Sequence, residues 1–374
     1  MNHKSRRVHL LTLVVFLFIL FTPSLARGAE TAAAPDSEWE RTVKAAEQEG
    51  QVVVYKISTD SEWYAFQKRY PKIKLNLVHA TAAQHLQRLL AERRAGKYLA
   101  DVVRLGGGTS TSLYKAKAID PVASALILPE VKDPSKWFEG RHHFNDVDNQ
   151  YVFIYAAFPL HLLGYNPKVV DAQNLRSYTD LLDPKWKGKM TLKDPRDPGG
   201  ASPLLFLYNN PQLGPEYIKK LFTVAGLTLV RDERQQTDWI ASGRFPLAIT
   251  AKPEQVEEAK NKGLPVEVLD AHLMKKDGVG LEAGGTMIGL ANKAPHPNAA
   301  KVLINWFLSR EGQMAVQKTG AGEPGYNSLR EDIPKEHLPA WAQRQKGVNY
   351  IRLWGPAVWD RSAITDLVNE MANK

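Results

Sequence analysis

Cysteine is absent from all 374 residues. Disulfides and thiolate metal sites are therefore excluded, as is a lipid anchor on an N-terminal cysteine. Long apolar runs are scarce as well. The extended one, "VHLLTLVVFLFILF", lies near the start and is about 14 residues long, short of the roughly 20 that span a bilayer. A phosphate loop needs Gly-Lys followed by Ser or Thr. Here Gly96-Lys97 continues with Tyr98 and Gly188-Lys189 with Met190. Neither G-x-S-x-G nor H-E-x-x-H occurs, which removes the serine-elbow and zincin signatures. "GVGLEA" (Gly278 to Ala283) has dinucleotide-type spacing, but no strand is expected before it and no helix directly after.

One enzyme-like pair needs separate treatment. Ser112-Leu113-Tyr114-Lys115 is an S-x-x-K and Lys318-Thr319-Gly320 a K-T-G, as in penicillin-recognising serine enzymes. No S-x-N accompanies them, and Lys318 ends a helical pattern where that chemistry needs a strand. His142 and His143 are adjacent, so on a regular element they diverge, and they read as a surface pair rather than metal ligands. The residues therefore point to no catalytic group, no metal and no cofactor.

What is present begins with Lys4, Arg6 and Arg7, the apolar run, and small residues at Ala26 and Gly28. This is the pattern of a secretory signal peptide spanning 1–28 and cut near Ala29. "SRRVHL" partly matches a twin-arginine signal, and the strongly apolar core favours the general route. The formal charge is +9, of which Lys4, Arg6, Arg7 and Arg27 supply four, leaving the exported chain near +5. That mild excess suits an anionic ligand or partner. It lacks the clustered basic face with stacking aromatics that nucleic acid would need. An exported chain without an anchor suggests the periplasm.

About 346 residues then remain, enough for two domains. "QVVVY", "IKLNLV" and "DVVRL" read as strands separated by helical patterns, so the first unit is a parallel α/β sheet. "MTLK", "LTLV", "PLAIT" and "PVEVL" repeat the pattern later. Between them "YVFIYAAFPLHLLGYN" suits a buried strand that crosses to a second unit, and "GGTMIGLANKAPHP" suits the return. "NAAKVLINWFLSREGQMAVQKTG" follows as an amphipathic helix. The divisions expected are a first lobe over 29–160, a second over 161–285, and a return to the first over 286–374.

Ligands of open parallel sheets sit beyond the carboxyl ends of the strands. "KISTDS" and "GGGTSTS" lie there in the first lobe, which makes Ser58, Thr59, Gly107, Gly108, Thr109 and Ser110 candidate contacts. "DPRDPGGAS" is the counterpart in the second. It offers Arg196, Gly200, Ala201 and Ser202, with Ser202 as the helix N-cap and Pro203 in its first turn. Arg196 can hold a carboxylate or phosphate with two hydrogen bonds, or can pair with Asp194 or Asp197. Tyr55 and Tyr165 could line the cleft or lie in the core.

"GYNPKVV", "SYTDLLDPKWKGKMTLKDPRDPGG", "GRFPLAIT" and "GGTMIGLANKAPHPNAAKVLINWFLSREGQ" resemble the extracellular solute-binding proteins of ABC importers. The nearest branch is the one holding ferric-ion, polyamine and phosphorylated-solute binders. The resemblance covers nearly the whole exported chain. It implies a two-lobed, hinged periplasmic-binding-protein fold of type II, each lobe a doubly wound mixed α/β sheet. It also implies a monomeric receptor for a small-molecule solute, delivering to an inner-membrane permease and its ATPase. A receptor serving a membrane sensor would have the same fold. Ferric binders of this family carry adjacent tyrosines after the strand equivalent to "PLAIT", where this chain has Ala251-Lys252-Pro253. Tyr326 could still supply one phenolate. A small anion is therefore the expected ligand, with ferric ion as the alternative.

Overall fold

The computed structural model describes residues 37–57, 60–160, 163–197, 201–319, 327–358 and 362–372. The signal segment, Ser58, Thr59, Gly200 and Tyr326 fall outside the described residues.

The first lobe opens with α1 (Glu38–Glu49), which starts at a reciprocal cap between Ser37 and Glu40 and stops at Gly50 with φ 72°. Then come β1 (Gln51–Lys56), α2 (Ser61–Arg69), β2 (Lys74–His79), α3 (Ala82–Arg94), β3 (Val102–Leu105) and α4 (Gly107–Lys115). Thr81 and Gln84 form a second capping box on α3. Two helical crossovers make β2, β1 and β3 parallel, with Tyr55 beside both Val78 and Val103. Short β4 (Ile119–Asp120), α5 (Pro129–Lys132), β5 (His143–Phe144) and β6 (Val152–Ile154) complete this stretch.

The chain then leaves through β7 (Phe158–Leu160). The second lobe contains β8 (Gly164–Tyr165), β9 (Met190–Lys193), α6 (Ser202–Asn209), α7 (Gly214–Thr223), β10 (Thr228–Val230), α8 (Glu233–Ala241), β11 (Leu247–Ala248), α9 (Pro253–Asn261) and β12 (Glu267–Val268). It returns through β13 (Val279–Glu282) to β14 (Met287–Ala291), then α10 (Pro297–Leu308), α11 (Arg310–Thr319), β15 (Tyr350–Arg352) and α12 (Ser362–Ala372).

These strands form three sheets. The first runs β2-β1-β3-β14-β6-β5, with β4 also on β14; the second runs β10-β9-β11-β8-β12. Both are mixed, because β14 is antiparallel to β3 and β8 is antiparallel to β11. The third, β15-β13-β7, consists of the crossing segments, with Glu282 opposite Phe158. Two large cores match the two lobes. One gathers Trp63, Phe66, Trp306 and Phe307 under the first sheet, and the other Leu192, Phe206, Ile218 and Leu221 under the second. Trp63 stacks on Phe307 at 4.8 Å between ring centroids.

Two expectations need correction. The return crossing is β13, "VGLE", a step before the "GGTMIGLANKAPHP" assigned to it; Met287 already belongs to the first sheet. The C-terminal helix α12 also departs from the first lobe, since it packs against α6 and α7 with Ile364, Leu367 and Val368 in the second core.

Candidate ligand-binding cleft

The parallel strands place their following segments at one end of each sheet, and both lobes direct these ends at the crossing strands. In the first lobe β1 runs into Ile57 and β3 into Gly106. A Cβ on Gly106 would lie 3.7 Å from the Gly284 carbonyl, and one on Gly285 would lie 3.3 Å from Ile57 Cδ1. Both segments therefore close on the Gly284–Gly285 bend that follows β13. Gly284 has φ 51° there, a left-handed geometry that favours glycine.

On the other side of that bend lies a cavity of about 290 Å³. Lys193 at the end of β9, Glu233 and Gln236 on the first turns of α8, and Thr250 to Glu254 after β11 form its second-lobe wall. Phe158, Glu282 and Gly284 supply the crossing-strand wall, and Ser202, Pro203 and Trp341 complete the lining. Glu233 is the electrostatic centre. Its carboxylate accepts from Lys193 Nζ at 2.7 Å and lies 3.5 Å from Lys252 Nζ. Burial pushes Glu233 up, but the two ammonium groups outweigh it and hold the carboxyl below its ordinary value. Gln236 is turned inward and donates to Thr191 Oγ1 at 3.2 Å.

Three helices begin around this space without a side-chain cap among the described residues: α4 at Gly106, α6 at Ala201 and α9 at Lys252. Their first N–H groups and dipoles favour negative charge. Glu233 and Glu254 occupy first turns of α8 and α9, where carboxylates are favoured for the same reason.

The structure redistributes the expected site residues. "GGTSTS" is the start of α4 rather than a loop. Ser110 is buried, Thr111 Oγ1 donates to the Gly107 carbonyl at 2.8 Å, and Ser112 Oγ to that of Gly108 at 3.0 Å. Gly107, Gly108 and Thr109 thus offer first-turn amides, not a polar hydroxyl lip. Ala201, not Ser202, is the N-cap of α6; Ser202 is its first residue and lines the cavity. Arg196 takes the alternative role. Its Nε and Nη2 bond Asp194 at 2.8 and 2.6 Å, and it is not among the residues lining the cavity. That guanidinium also draws the Asp194 carboxyl below its ordinary range. Tyr55 is core, its hydroxyl donating to Glu92 at 2.7 Å.

His142 and His143 are not a surface pair. Both are held by Nε2 bonds to backbone carbonyls, of Val131 and Phe138, at 2.9 Å each. Lys318 and Thr319 lie in α11, a helix rather than the strand the serine-enzyme motif requires. No cluster of His, Asp and Glu suited to a metal ion occurs among the described residues.

Sequence reasoning placed Lys252 in the loop facing the ligand but missed Lys193, Glu233 and Glu254, although Lys193 ends, and Glu233 and Glu254 follow, a strand that pairs in parallel with its neighbour. The rule that ligands gather beyond strand carboxyl ends could have found them. Trp341 and Glu282 carried no such signal, because Trp341 is distant in sequence and Glu282 is placed by the three-stranded crossing sheet. A larger cavity of about 690 Å³ lies between Trp137–Gly140 and Arg344–Tyr350. Its buried Arg344 is committed to the carbonyls of Ala157, Asn327 and Ser328 and to Glu331.

A family model for bacterial extracellular solute-binding proteins matches residues 64–341. The chain belongs to that family. It has the two-lobed fold of type II periplasmic binding proteins. A Bordetella ferric binding protein has a similar structure, at TM-score 0.64 and 16% identity, over 86% of this chain and 99% of that one. So does the periplasmic binding protein AfuA from Actinobacillus pleuropneumoniae with fructose-6-phosphate bound, at TM-score 0.52 and 18% identity over 87% and 98%. In sequence, an uncharacterised Haemophilus influenzae protein is 28% identical over 156 residues, 39% of this chain. The match spans 40% of that relative's length. The identities to solved structures are low enough that they establish the fold and leave the ligand open.

Proposed function

We propose that this protein is the solute receptor of an ABC importer, capturing a small anion-bearing solute between its lobes. It hands that solute to an inner-membrane permease with its ATPase. In this reading residues 1–28 are an export signal removed near Ala29, and the receptor works in the periplasm as a monomer. The crossings at β7 and β13 divide the lobes, with α12 assigned to the second.

The observation that carries the reading is a charge count at one point. Two lysines, Lys193 and Lys252, share the single carboxylate of Glu233, beside the uncapped starts of α6 and α9. Two ammonium groups against one carboxylate make this point locally basic, and the start of α6 adds to it, while Glu254 and Glu282 stand elsewhere in the same lining. The candidate contacts are then Lys193, Lys252, Ser202 and the first-turn amides of α4, with Arg196 at the rim.

Ferric ion is the second reading. Glu254 and Glu282 line the same cavity and are the hard oxygen donors such an ion prefers. Against it, Lys252 lies in the wall and repels a cation. A thermal-shift screen decides between them. At 100 times its Kd a ligand stabilises by about 2.7 kcal/mol. Phosphate esters or carboxylates are expected to raise the melting temperature, and ferric citrate to leave it unchanged and the protein colourless. A visible phenolate-to-iron band would overturn the anion reading.

A further inference from the structure

The end of the first sheet opposite the cleft carries a concentration of positive charge. Strands β1 and β3 run toward the cleft, and β14 runs away from it. The end of α3, the segment before β3, the turn after α4 and the turn after β14 therefore meet at the far pole. They bring Arg93, Arg94, Lys97, Lys117 and Lys293 to it. Arg93 ties these segments together. Its guanidinium donates to the Lys117 carbonyl at 2.9 Å and to Asn292 Oδ1 at 2.8 Å. It also lies 5.5 Å from the centre of the Tyr98 ring, and Lys293 Nζ lies 4.9 Å from the same centre. Lys117 and Lys293 stand on left-handed bends, at φ 52° and 56°, which asparagine or glycine would make at less cost.

The carboxylates nearest in sequence have other partners. Glu92 holds Tyr55 and Arg88. Asp101 accepts from the Val53 and His296 N–H groups, and Asp120 from the Asn292 amide and the Lys293 N–H. None of the cations named above forms an ion pair among the described residues. Arg94, Lys97, Lys117 and Lys293 are exposed, and so is Leu99 beside Tyr98. Like charges gathered on one face repel one another, and an opposed negative surface relieves that repulsion. Lysines on long stems around a tyrosine and a leucine suit lipid headgroups. The cations take the phosphates, while Tyr98 and Leu99 meet the edge of the acyl region. Lipids also move laterally and can gather under the charges, whereas an acidic protein would have to match their positions. We propose that this pole docks on the anionic lipid surface of a membrane, holding the receptor reversibly at the bilayer with its cleft turned toward solution. The proposal takes from the receptor reading only the need to work beside a membrane permease.

Flotation of the exported chain with lipid vesicles tests it. At about 0.15 M salt, where the Debye length is ~8 Å, vesicles of equal parts phosphatidylglycerol and phosphatidylcholine should carry the protein, and phosphatidylcholine alone should not. Raising the salt to about 1 M shortens that length to ~3 Å and should release it. Each basic residue near an anionic surface is worth about fivefold in binding. Lys97→Gln, Lys117→Asn and Lys293→Asn together should therefore weaken vesicle binding on the order of 100-fold. Lys187→Gln, Lys189→Gln and Lys220→Gln together remove the same charge from exposed positions of the second lobe and should cost less than about tenfold, being screened from the surface. An unchanged melting temperature certifies that each variant folds. Equal binding to both kinds of vesicle, binding to neither, or equal losses in the two triple variants would overturn the proposal. Capture on immobilised polyglutamate without vesicle binding would overturn it too, and would give the pole to an acidic protein. None of these outcomes bears on the solute screen, which decides the receptor reading by itself.

Discussion

Two buried histidines and one half-buried one give the protein a direct sensitivity to acid. His85, His142 and His143 each hold a backbone carbonyl through Nε2, at 3.0, 2.9 and 2.9 Å, a bond the neutral ring can donate. Burial is the main cause that lowers the pKa of all three. The Nδ1 of His85 has no partner among the described residues, so its protonation would bury an unsatisfied cationic N–H. Because the unfolded chain binds these protons more readily, stability is complete above about pH 6.5, the ordinary histidine value. It is lost as pH falls below that value toward the lowered folded pKa values. Melting temperatures measured from pH 7.5 to 5 should therefore fall, and His142→Gln should flatten part of the slope. Binding has its own residue-scale expectation. Lys252→Ala removes one of two cations over the cleft and should weaken anion binding about 10- to 150-fold. Arg196→Ala breaks an ion pair outside the cavity lining and should cost less than about tenfold. Titration calorimetry with the tightest anion of the screen distinguishes them. A larger loss at Arg196 would move the site to the rim.

At the scale of elements, packing is tight where backbone meets backbone. A Cβ on Gly312 would stand 1.9 Å from the Trp306 carbonyl oxygen and 2.9 Å from Phe307 Cα. Neither can swing aside as a side-chain end could. Gly312→Ala should thus destabilise at or beyond the upper end of the ~1–3 kcal/mol typical of overpacking, read as a shift of the urea midpoint. An unchanged midpoint would mean that the turn between α10 and α11 yields freely. This junction also shows what the sequence could convey. "NAAKVLINWFLSREGQMAVQKTG" reads as one amphipathic helix, because Val302, Leu303, Trp306 and Phe307 repeat at helical spacing. The break at Ser309 depends on its hydroxyl bonding the Trp306 carbonyl and on the close approach at Gly312, neither visible in periodicity. Strands β1 to β3 were legible for the opposite reason: they are four to six residues built around valines and leucines, between clear helical stretches. β8, β11 and β12 are two residues each, too short for alternation to register. The return strand β13 was hidden by two glycines in "GVGLE". The cleft was legible at its strand ends and illegible at Trp341 and Glu282, which only the assembled crossing strands bring there.

For the whole molecule the question is whether the lobes move, and the connections between them limit how. They meet through the β15-β13-β7 sheet, and the segment before β15 is anchored by Arg344 to Ala157 beside β7 and to Asn327. Three short strands side by side resist shear and permit bending about their ends. The Gly284–Gly285 turn lies at one such end, in contact with the first-lobe segments at Ile57 and Gly106. A solute held only by Lys193 and Lys252 would bind one lobe and have no preference for a closed state. It would then shift no equilibrium, however tightly it bound. If the amides of α4 also reach it, closure adds contacts and expels water, which strengthens each charged hydrogen bond. Domain closure about such a hinge is a known mode of response. Small-angle scattering on the exported chain, with and without the tightest anion of the screen, should show the radius of gyration falling on binding. Lys252→Ala should need proportionally more of that anion for the same fall. A radius unchanged at saturation would mean that the solute touches the second lobe alone, and that the first-turn amides of Gly107, Gly108 and Thr109 take no part in holding it.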